Sequence, residues 1–341
     1  AVTARATDFN LQEKCAPSDG VITGYGTIEG GLVYVYSQDA TVLNGSVGEM
    51  HARKIATLYD MAMKMGAPVI GFVDCSGIRL QEATDALNAL GSMQYKKVMA
   101  SGVIPQITAV FGNCGGGLAA DAALTDFVFM AQTGKMFVNS PNTISGNSKD
   151  KCDSSSAAFQ SEKNGFIDMV GTEGEVIEQI RALVSVLPAN NKDHDSYEVG
   201  ADDLNRLCKG IESRVEDPAE LLAMLGDEYL FFETKRNYAK DMVTGFLKLN
   251  GMTVGTVANR SAVYNEDGEK TDTYDGCLSA NGCQKAAEFV KFCDAFGIPV
   301  LTLTNVSGLH ASMYSEQHLA KAMAMLTYAF TDATVPKVNV V

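Results

Sequence analysis

The sequence lacks most of the signatures that announce a mechanism, and each gap narrows the field. No run of about eighteen apolar residues occurs, so no membrane-spanning helix is expected. The GxSxG nucleophile elbow, the HExxH zinc helix and the GxxxxGK(S/T) phosphate loop are all missing. That removes the usual sequence grounds for a serine hydrolase, a zinc protease or a P-loop nucleotide enzyme. Basic residues are in deficit: 27 Lys and Arg against 41 Asp and Glu leave a formal net charge of −14, a poor match for a nucleic-acid partner. An anionic small substrate remains admissible, because a few local cations and helix N-termini suffice to hold one. The eight cysteines (Cys15, Cys75, Cys114, Cys152, Cys208, Cys277, Cys283 and Cys293) form no CxxC pair. No metal site is therefore expected, and scattered reduced thiols suit a cytoplasmic protein better than a disulfide framework. Histidine is scarce, and His51, His194, His310 and His318 have no local partner pattern. His310 alone follows a glycine turn and could face a crevice.

What is present is a duplication. GAPVIGFVDCSGIR (66–79) aligns with GIPVLTLTNVSGLH (297–310) at a constant offset of 231, so that Gly66 meets Gly297, Pro68 meets Pro299, Ser76 meets Ser307 and Gly77 meets Gly308. Lys54 meets Lys285 at the same offset. Upstream, GYGTIEGGLVYVYSQD (24–39) aligns with GFLKLNGMTVGTVANR (245–260) at an offset of 221. The difference between the offsets places a longer loop in the second copy, around NEDGEKTDTYDG.

A chain of 341 residues with 46% hydrophobic content suits two domains, each able to bury a core. The alternation over 21–39 predicts a hairpin turning at Gly30-Gly31, and 51–66 has helical periodicity with a glycine stop. PVIGFVDCSG, IPQITAVFGN and TDFVFMA predict buried strands, separated by helices at EATDALNALGSMQYKKVMASG and GGGLAADAALT. Strand and helix alternating in this way imply an α/β fold with right-handed crossovers. Residues 139–165 are polar and predict a long loop, 171–187 an amphipathic helix, and 188–203 a linker. The expected division is an N-terminal domain over 1–187, a linker over 188–217 and a C-terminal domain over 218–341. Lys54, Lys96 and Lys97 are expected on solvated helix faces.

Two strand-to-helix turns in the first half are glycine-rich: CSGIR (75–79) and CGGGLA (114–119). Such turns present backbone N–H groups that can hold a developing negative charge. Lying at the carboxyl ends of parallel strands, they would face one crevice. Glycine turns also serve packing alone, but the recurrence of the first at Gly308 argues for a site. GYGTIE does not qualify as a dinucleotide fingerprint, because it lies in a hairpin rather than before a helix.

VITGYGTIEGGLVYVYSQDATVLNGSVGEMHARKI, APVIGFVDCSGIRLQEA, GVIPQITAVFGNCGGGLAADAALTDFVFM, FVKFCDAFGIPVLTLTNVSG and LTYAFTDATVPKVNVV together resemble the carboxyltransferase subunits of biotin-dependent acyl-CoA carboxylases and decarboxylases. The similarity is strongest to the methylmalonyl-CoA decarboxylase alpha and propionyl-CoA carboxylase beta type. The resemblance implies tandem crotonase-like (ClpP/crotonase-type) βαβ superhelical domains, the first for the acyl-CoA and the second for biotin. It also implies carboxyl transfer between the ureido nitrogen of biotin and the α-carbon of a short acyl-CoA, through an enolate held by backbone donors. The biotin nitrogen would take the proton, so no catalytic side-chain base is expected. Carried over residue by residue, the family's turn falls on Asp74, Cys75, Ser76, Gly77, Ile78 and Arg79, and its glycine run on Gly115, Gly116 and Gly117. Gly77, Ile78, Gly116 and Gly117 would form the first oxyanion hole, and Gly308 and Leu309 would begin the second. Gly115, Ser307, His310 and Arg79 would contact cofactor or coenzyme; Arg79 could instead pair with Glu82.

Cys75, Ile78, Ala120 and Ser307 depart from the family pattern and put acyl preference in question; a non-catalytic or differently specialised crotonase-family subunit is the alternative. The implied partners are a biotin carboxyl carrier protein, a biotin carboxylase or the membrane sodium-pump subunits of a decarboxylase, and further copies of the chain. At an offset of 231, the second copy's equivalent of Gly115–Gly117 would fall just beyond Val341, so a longer native chain is expected.

Overall fold

The computed structural model describes residues 16–193, 202–203, 205–265 and 268–341; Cys15, His194 and part of the expected linker lie outside them. The chain divides into two compact units, Ala1–Ser185 and Val186–Val341, each mixed α/β.

The first unit runs β1 (Val21–Ile28), β2 (Gly31–Gln38), α1 (Glu49–Met65), β3 (Val69–Cys75), α2 (Ala83–Ala100), β4 (Gln106–Gly115), α3 (Gly117–Ala123), β5 (Phe127–Ala131), β6 (Lys135–Phe137), α4 (Ala157–Glu162), β7 (Met169–Gly171) and α5 (Glu173–Val186). Its sheet has the order β1-β2-β3-β4-β5-β7, with β6 pairing the far end of β4. Every pairing after the β1–β2 hairpin is parallel, as strands joined by helical crossovers must be. The α1 residues Ala52, Ile55, Leu58, Tyr59 and Ala62 recur at helical spacing, and all are buried in one core with Val69, Val73, Met93 and Val110.

The second unit runs α6 (Pro218–Leu225), β8 (Phe232–Thr234), β9 (Met242–Leu249), β10 (Met252–Asn259), β11 (Ala262–Tyr264), β12 (Lys270–Thr273), β13 (Cys277–Leu278), α7 (Ala280–Ala295), β14 (Val300–Leu303), β15 (Gly308–Leu309), α8 (Met313–Asp332) and β16 (Lys337–Val340). Its main sheet has the order β16-β14-β10-β9-β8.

The duplication holds to the residue. Val21 pairs with Gln38 in the first hairpin and Met242 with Asn259 in the second, each displaced by 221. Tyr34 pairs with Val69 and Gly255 with Val300; Val69 pairs with Gln106 and Val300 with Lys337. The hairpin turns match as well: Glu29 and Gly30 have φ of 49° and 84°, Asn250 and Gly251 have 53° and 82°. Two consecutive left-handed residues make a type I′ turn, whose twist suits a two-residue hairpin. The first turn is therefore centred on Glu29-Gly30, one residue before the Gly30-Gly31 expected from sequence. The extra length of the second copy is taken up by the antiparallel pair β11–β12, a small hairpin rather than a loop.

Candidate active site: paired glycine turns

Strands β3 and β4 are neighbours, with Cys75 opposite Cys114 in register, so the two glycine turns of the first unit leave the sheet side by side. A Cβ placed on Gly77 would lie 3.6 Å from the Gly115 carbonyl oxygen, and one on Gly117 would lie 3.9 Å from Ile78 Cδ1. The first turn is held by a short parallel bridge. Val47 N–H donates to the Gly77 carbonyl at 2.9 Å, and Arg79 N–H donates to the Val47 carbonyl at 2.8 Å.

Glycine is demanded at two points. Gly77 has φ of 121°, and Gly116 has φ 63° and ψ −130°, regions that side chains rarely enter. Gly115 is needed for a different reason: a Cβ there would press on the Phe137 ring at 3.1 Å.

Hydrogen bonding sorts the four expected donors. Gly77 N–H donates to Cys75 Sγ at 3.3 Å, and Gly116 N–H donates to the Phe137 carbonyl at 2.9 Å. Both are committed within the protein. Ile78 N–H and Gly117 N–H have no acceptor among the described residues, and Gly117 opens α3. The pair free to hold an oxyanion is therefore Ile78 and Gly117, one from each turn. Cys75, fully buried, closes its own turn through sulfur; burial pushes its thiol up to about 11, so it is an acceptor and not a nucleophile at neutral pH.

Arg79 is not available to a coenzyme phosphate. It is 2% exposed, with Nη2 2.6 Å from Asp19 Oδ1, Nη1 2.7 Å from Glu82 Oε1 and Nη2 2.7 Å from the Ser46 carbonyl oxygen. Burial opposes its charge, but the hydrogen bonds and charges of Asp19 and Glu82 prevail and raise its pKa. The guanidinium ties the turn to the N-terminal side of β1 and to the start of α2. Lys97 corrects a second expectation: it is fully buried rather than solvated, with Nζ 2.6 Å from Asp121 Oδ2 on α3. Lys54 is half-buried and donates to the Val21 carbonyl. Lys96 reaches Asp60 at 2.6 Å across the partly exposed helix surface.

The second unit repeats the turn. Leu278 pairs with Leu309 in the place of Val47 with Ile78. His310 N–H donates to the Leu278 carbonyl at 3.0 Å, as Arg79 does to Val47, and Ser307 N–H donates to the Gly276 carbonyl at 2.9 Å. The outward residues differ. His310, the counterpart of buried Arg79, is 46% exposed at its side chain, with Nδ1 3.0 Å from Asp275 Oδ2. Ser307 Oγ donates to the Asp275 carbonyl at 2.9 Å. The Asp275 contact is missed by sequence reasoning, because Asp275 stands where the first copy has the uncharged Asn44, at the offset of 231, and lies 35 residues from His310. Among the described residues, no cluster of side chains could hold a metal ion and no helix is long and apolar enough to cross a membrane.

Comparison with known proteins identifies the family. The family model for the carboxyl transferase domain matches residues 1–341. The chain is 40% identical to a propionyl-CoA carboxylase beta chain from Roseobacter denitrificans, covering all of this chain and 67% of that one. It is 35% identical to the methylmalonyl-CoA decarboxylase alpha subunit of Propionigenium modestum, covering all of this chain and 66% of the relative. A crystal structure of transcarboxylase 12S, a hexamer solved with hydrolysed methylmalonyl-coenzyme A bound, superposes with a TM-score of 0.90 at 34% identity over 98% of this chain and 65% of that one. The chain thus spans about two thirds of the length of these relatives. With the family model matching from end to end and glycine turns built into both repeats, the chain belongs to the carboxyl transferase domain family.

Proposed function

We propose that this chain catalyses biotin-dependent transfer of a carboxyl group to or from the α-carbon of a short acyl-CoA, of the propionyl/methylmalonyl or acetyl/malonyl class. The observation that carries the reading is the pair of uncommitted amides, Ile78 N–H and Gly117 N–H, at the ends of adjacent parallel strands. Removing a proton or a carboxylate from the carbon beside a thioester puts negative charge on the thioester oxygen. Two preorganised amide donors stabilise that charge where it forms, without a titrating side chain. The departures at Cys75 and Ile78 leave the turn intact, because sulfur takes the Gly77 hydrogen bond and the Ile78 amide stays free.

The second turn fits a biotin ring. Leu309 pairs with Leu278 as Ile78 pairs with Val47, and Ser307 and His310 add polar groups that are open to solvent. When bound, biotin supplies the ureido nitrogen that carries the carboxyl group. The chain's part is to hold the ring there and the thioester at Ile78 and Gly117. On this reading each unit is a crotonase-like domain. The protein works as an oligomer in the cytoplasm, with a biotin carboxyl carrier protein and either a biotin carboxylase or membrane sodium-pump decarboxylase subunits.

The test is CO₂ release from malonyl-CoA and methylmalonyl-CoA, with and without free biotin. Release that depends on biotin is the expected result, with the rate ratio ranking the substrates. Thioester binding with no release under either condition would overturn the proposal.

A further inference from the structure

The buried network behind the first turn contains a histidine that the chemistry above does not use. His51, on α1, is fully buried and reaches the turn through a chain of polar contacts. Gln38 Nε2, at the end of β2, lies 3.1 Å from His51 Nε2. His51 N–H donates to Asp19 Oδ2 at 3.1 Å, and His51 Nδ1 lies 3.8 Å from Asp19 Oδ1. Asp19 also accepts from both Nη atoms of Arg79, at 3.0 Å and 2.6 Å. Arg79 closes the chain on the segment that flanks Ile78. Its Nη2 donates to the Ser46 carbonyl at 2.7 Å and its Nε to Ser46 Oγ at 3.2 Å, and the next residue, Val47, bridges to Ile78.

An amide nitrogen can only donate, so His51 Nε2 accepts from Gln38 and Nδ1 carries the ring hydrogen, facing Asp19 across a gap too long for a hydrogen bond. His51 Nδ1 and Gln38 Oε1 are buried without a hydrogen-bond partner among the described residues, which is costly. A proton on Nε2 gives both a use. The Gln38 amide turns over so that Oε1 accepts from Nε2–H, and the charged ring draws Asp19 Oδ1 onto Nδ1–H. The surrounding charges oppose that proton. Arg79 and Lys54 already match the carboxylates of Asp19 and Glu82, so a charged ring adds an unmatched cation. Asp39 and Glu49 are turned away, to Thr41 and Arg53. Burial, with the charges of Arg79 and Lys54, holds the His51 pKa below its ordinary value against the pull of Asp19.

We propose that His51 is a positioning residue for carboxyl transfer: neutral, it leaves Asp19 to Arg79 and the turn holds the Ile78 amide in line; protonated, it competes with Arg79 for Asp19 and loosens the turn. The oxyanion donor is then lost in acid although no titrating group touches the reacting atoms. This rests on the reading of Ile78 N–H as an oxyanion donor and adds what controls its aim.

The experiment uses the full chain with nitrogen-labelled histidine and isoleucine, followed by NMR from about pH 8 to about pH 5. The Ile78 amide resonance should move with the same midpoint as the His51 ring nitrogens. Over that titration kcat for biotin-dependent CO₂ release should fall about tenfold toward the charged limit, with KM for the acyl-CoA changed less than about threefold. Gln38→Glu places a carboxylate on Nε2 and should raise the midpoint by about one pH unit or more, carrying the Ile78 shift and the fall in kcat with it. In His51→Asn the Ile78 resonance should stay still over the whole range. An Ile78 amide that is silent while His51 titrates, or that moves unchanged in both variants, would overturn the inference. A ring that stays neutral throughout, even in Gln38→Glu, does the same. Release of CO₂ whose acid limb ignores both variants sinks this role alone, whereas no release at any pH sinks the proposed function with it.

Discussion

Lys285 Nζ donates to the carbonyl oxygen of Met242 at 2.8 Å, and Lys54 Nζ donates to the carbonyl of Val21; the two contacts are equivalent, because Lys285 follows Lys54 by 231 and Met242 follows Val21 by 221. Each repeat thus pins the first strand of its hairpin to its first long helix through a lysine. The second copy has carried the device further inward. Lys285 is 2% exposed and also donates to the carbonyls of Lys235 at 3.0 Å and Tyr238 at 2.9 Å.

Burial lowers the Lys285 pKa to about 7, only partly opposed by the charge of Glu233. The sign of the consequence is fixed. Between about 7 and the unfolded value of 10.5 the unfolded chain binds the extra proton, so stability rises with pH across that window, and below it the cost of burying the charge is fully present. Denaturant unfolding at pH 7 and pH 9 should show wild type gaining stability relative to Lys285→Met as pH rises, by at most about 1.4 kcal/mol per pH unit. Parallel pH curves for the two proteins would refute it.

Gly116 tests the donor assignment. A Cβ there meets nothing within 4 Å, so Gly116→Ala acts only through its backbone, at φ 63° and ψ −130°. Relief of that strain rotates the peptide leading into Gly117 and misdirects the Gly117 N–H. The expected outcome is a fall in kcat of about 10²-fold, with KM for the acyl-CoA changed less than about threefold, since the donor acts on charge that develops in the transition state. Steady-state CO₂ release decides it; a large KM effect with kcat preserved would place Gly117 in ground-state binding instead.

Much of this was legible in the sequence, and what was not has a physical pattern. Repeats at fixed offsets, period-two alternation and glycine stops are local signals, and they locate β1 to β4, α1, α2 and their second copies. α4 lies within the polar stretch 139–165 and β6 just before it, and both are too short to show periodicity. Lys97 is on α2 at a position the helix turns inward, and only Asp121, 24 residues away on another element, makes its burial tolerable. Which amide stays free was also illegible, since the commitment of Gly116 depends on the Phe137 carbonyl, brought beside it by β6.

Arg79→Lys separates anchoring from coenzyme binding. A lysine has one point of charge where the guanidinium reaches Asp19, Glu82 and Ser46 at once. Stability should fall by about 2–4 kcal/mol, because a carboxylate is left buried and underpaired. At a temperature where the variant is folded, KM for the acyl-CoA should stay within about twofold of wild type. A tenfold rise in KM with little loss of stability would instead put Arg79 on a phosphate.

The Lys97–Asp121 pair fixes the helix whose first residue is Gly117. Lys97 Nζ lies 2.6 Å from Asp121 Oδ2, 3.3 Å from the Asp121 carbonyl oxygen and 3.2 Å from Tyr36 Oη. Burial opposes the ammonium, but the charge of Asp121 outweighs it, and the Lys97 pKa stands well above its ordinary value. A raised lysine pKa contributes stability that is fully present below the unfolded value of 10.5, so Lys97 should add no pH dependence to stability between about 6 and 9. Lys97→Met leaves Asp121 as a buried charge without a cation and should cost about 3–5 kcal/mol. The double variant Lys97→Met/Asp121→Leu should recover part of that loss, because two apolar side chains strand nothing. Because α3 also begins the donor turn, the double variant should still lose kcat while it regains stability. If activity returned together with stability, the pair would be a fold anchor only, and the aim of the Gly117 amide would be set entirely by Gly116 and the Phe137 carbonyl.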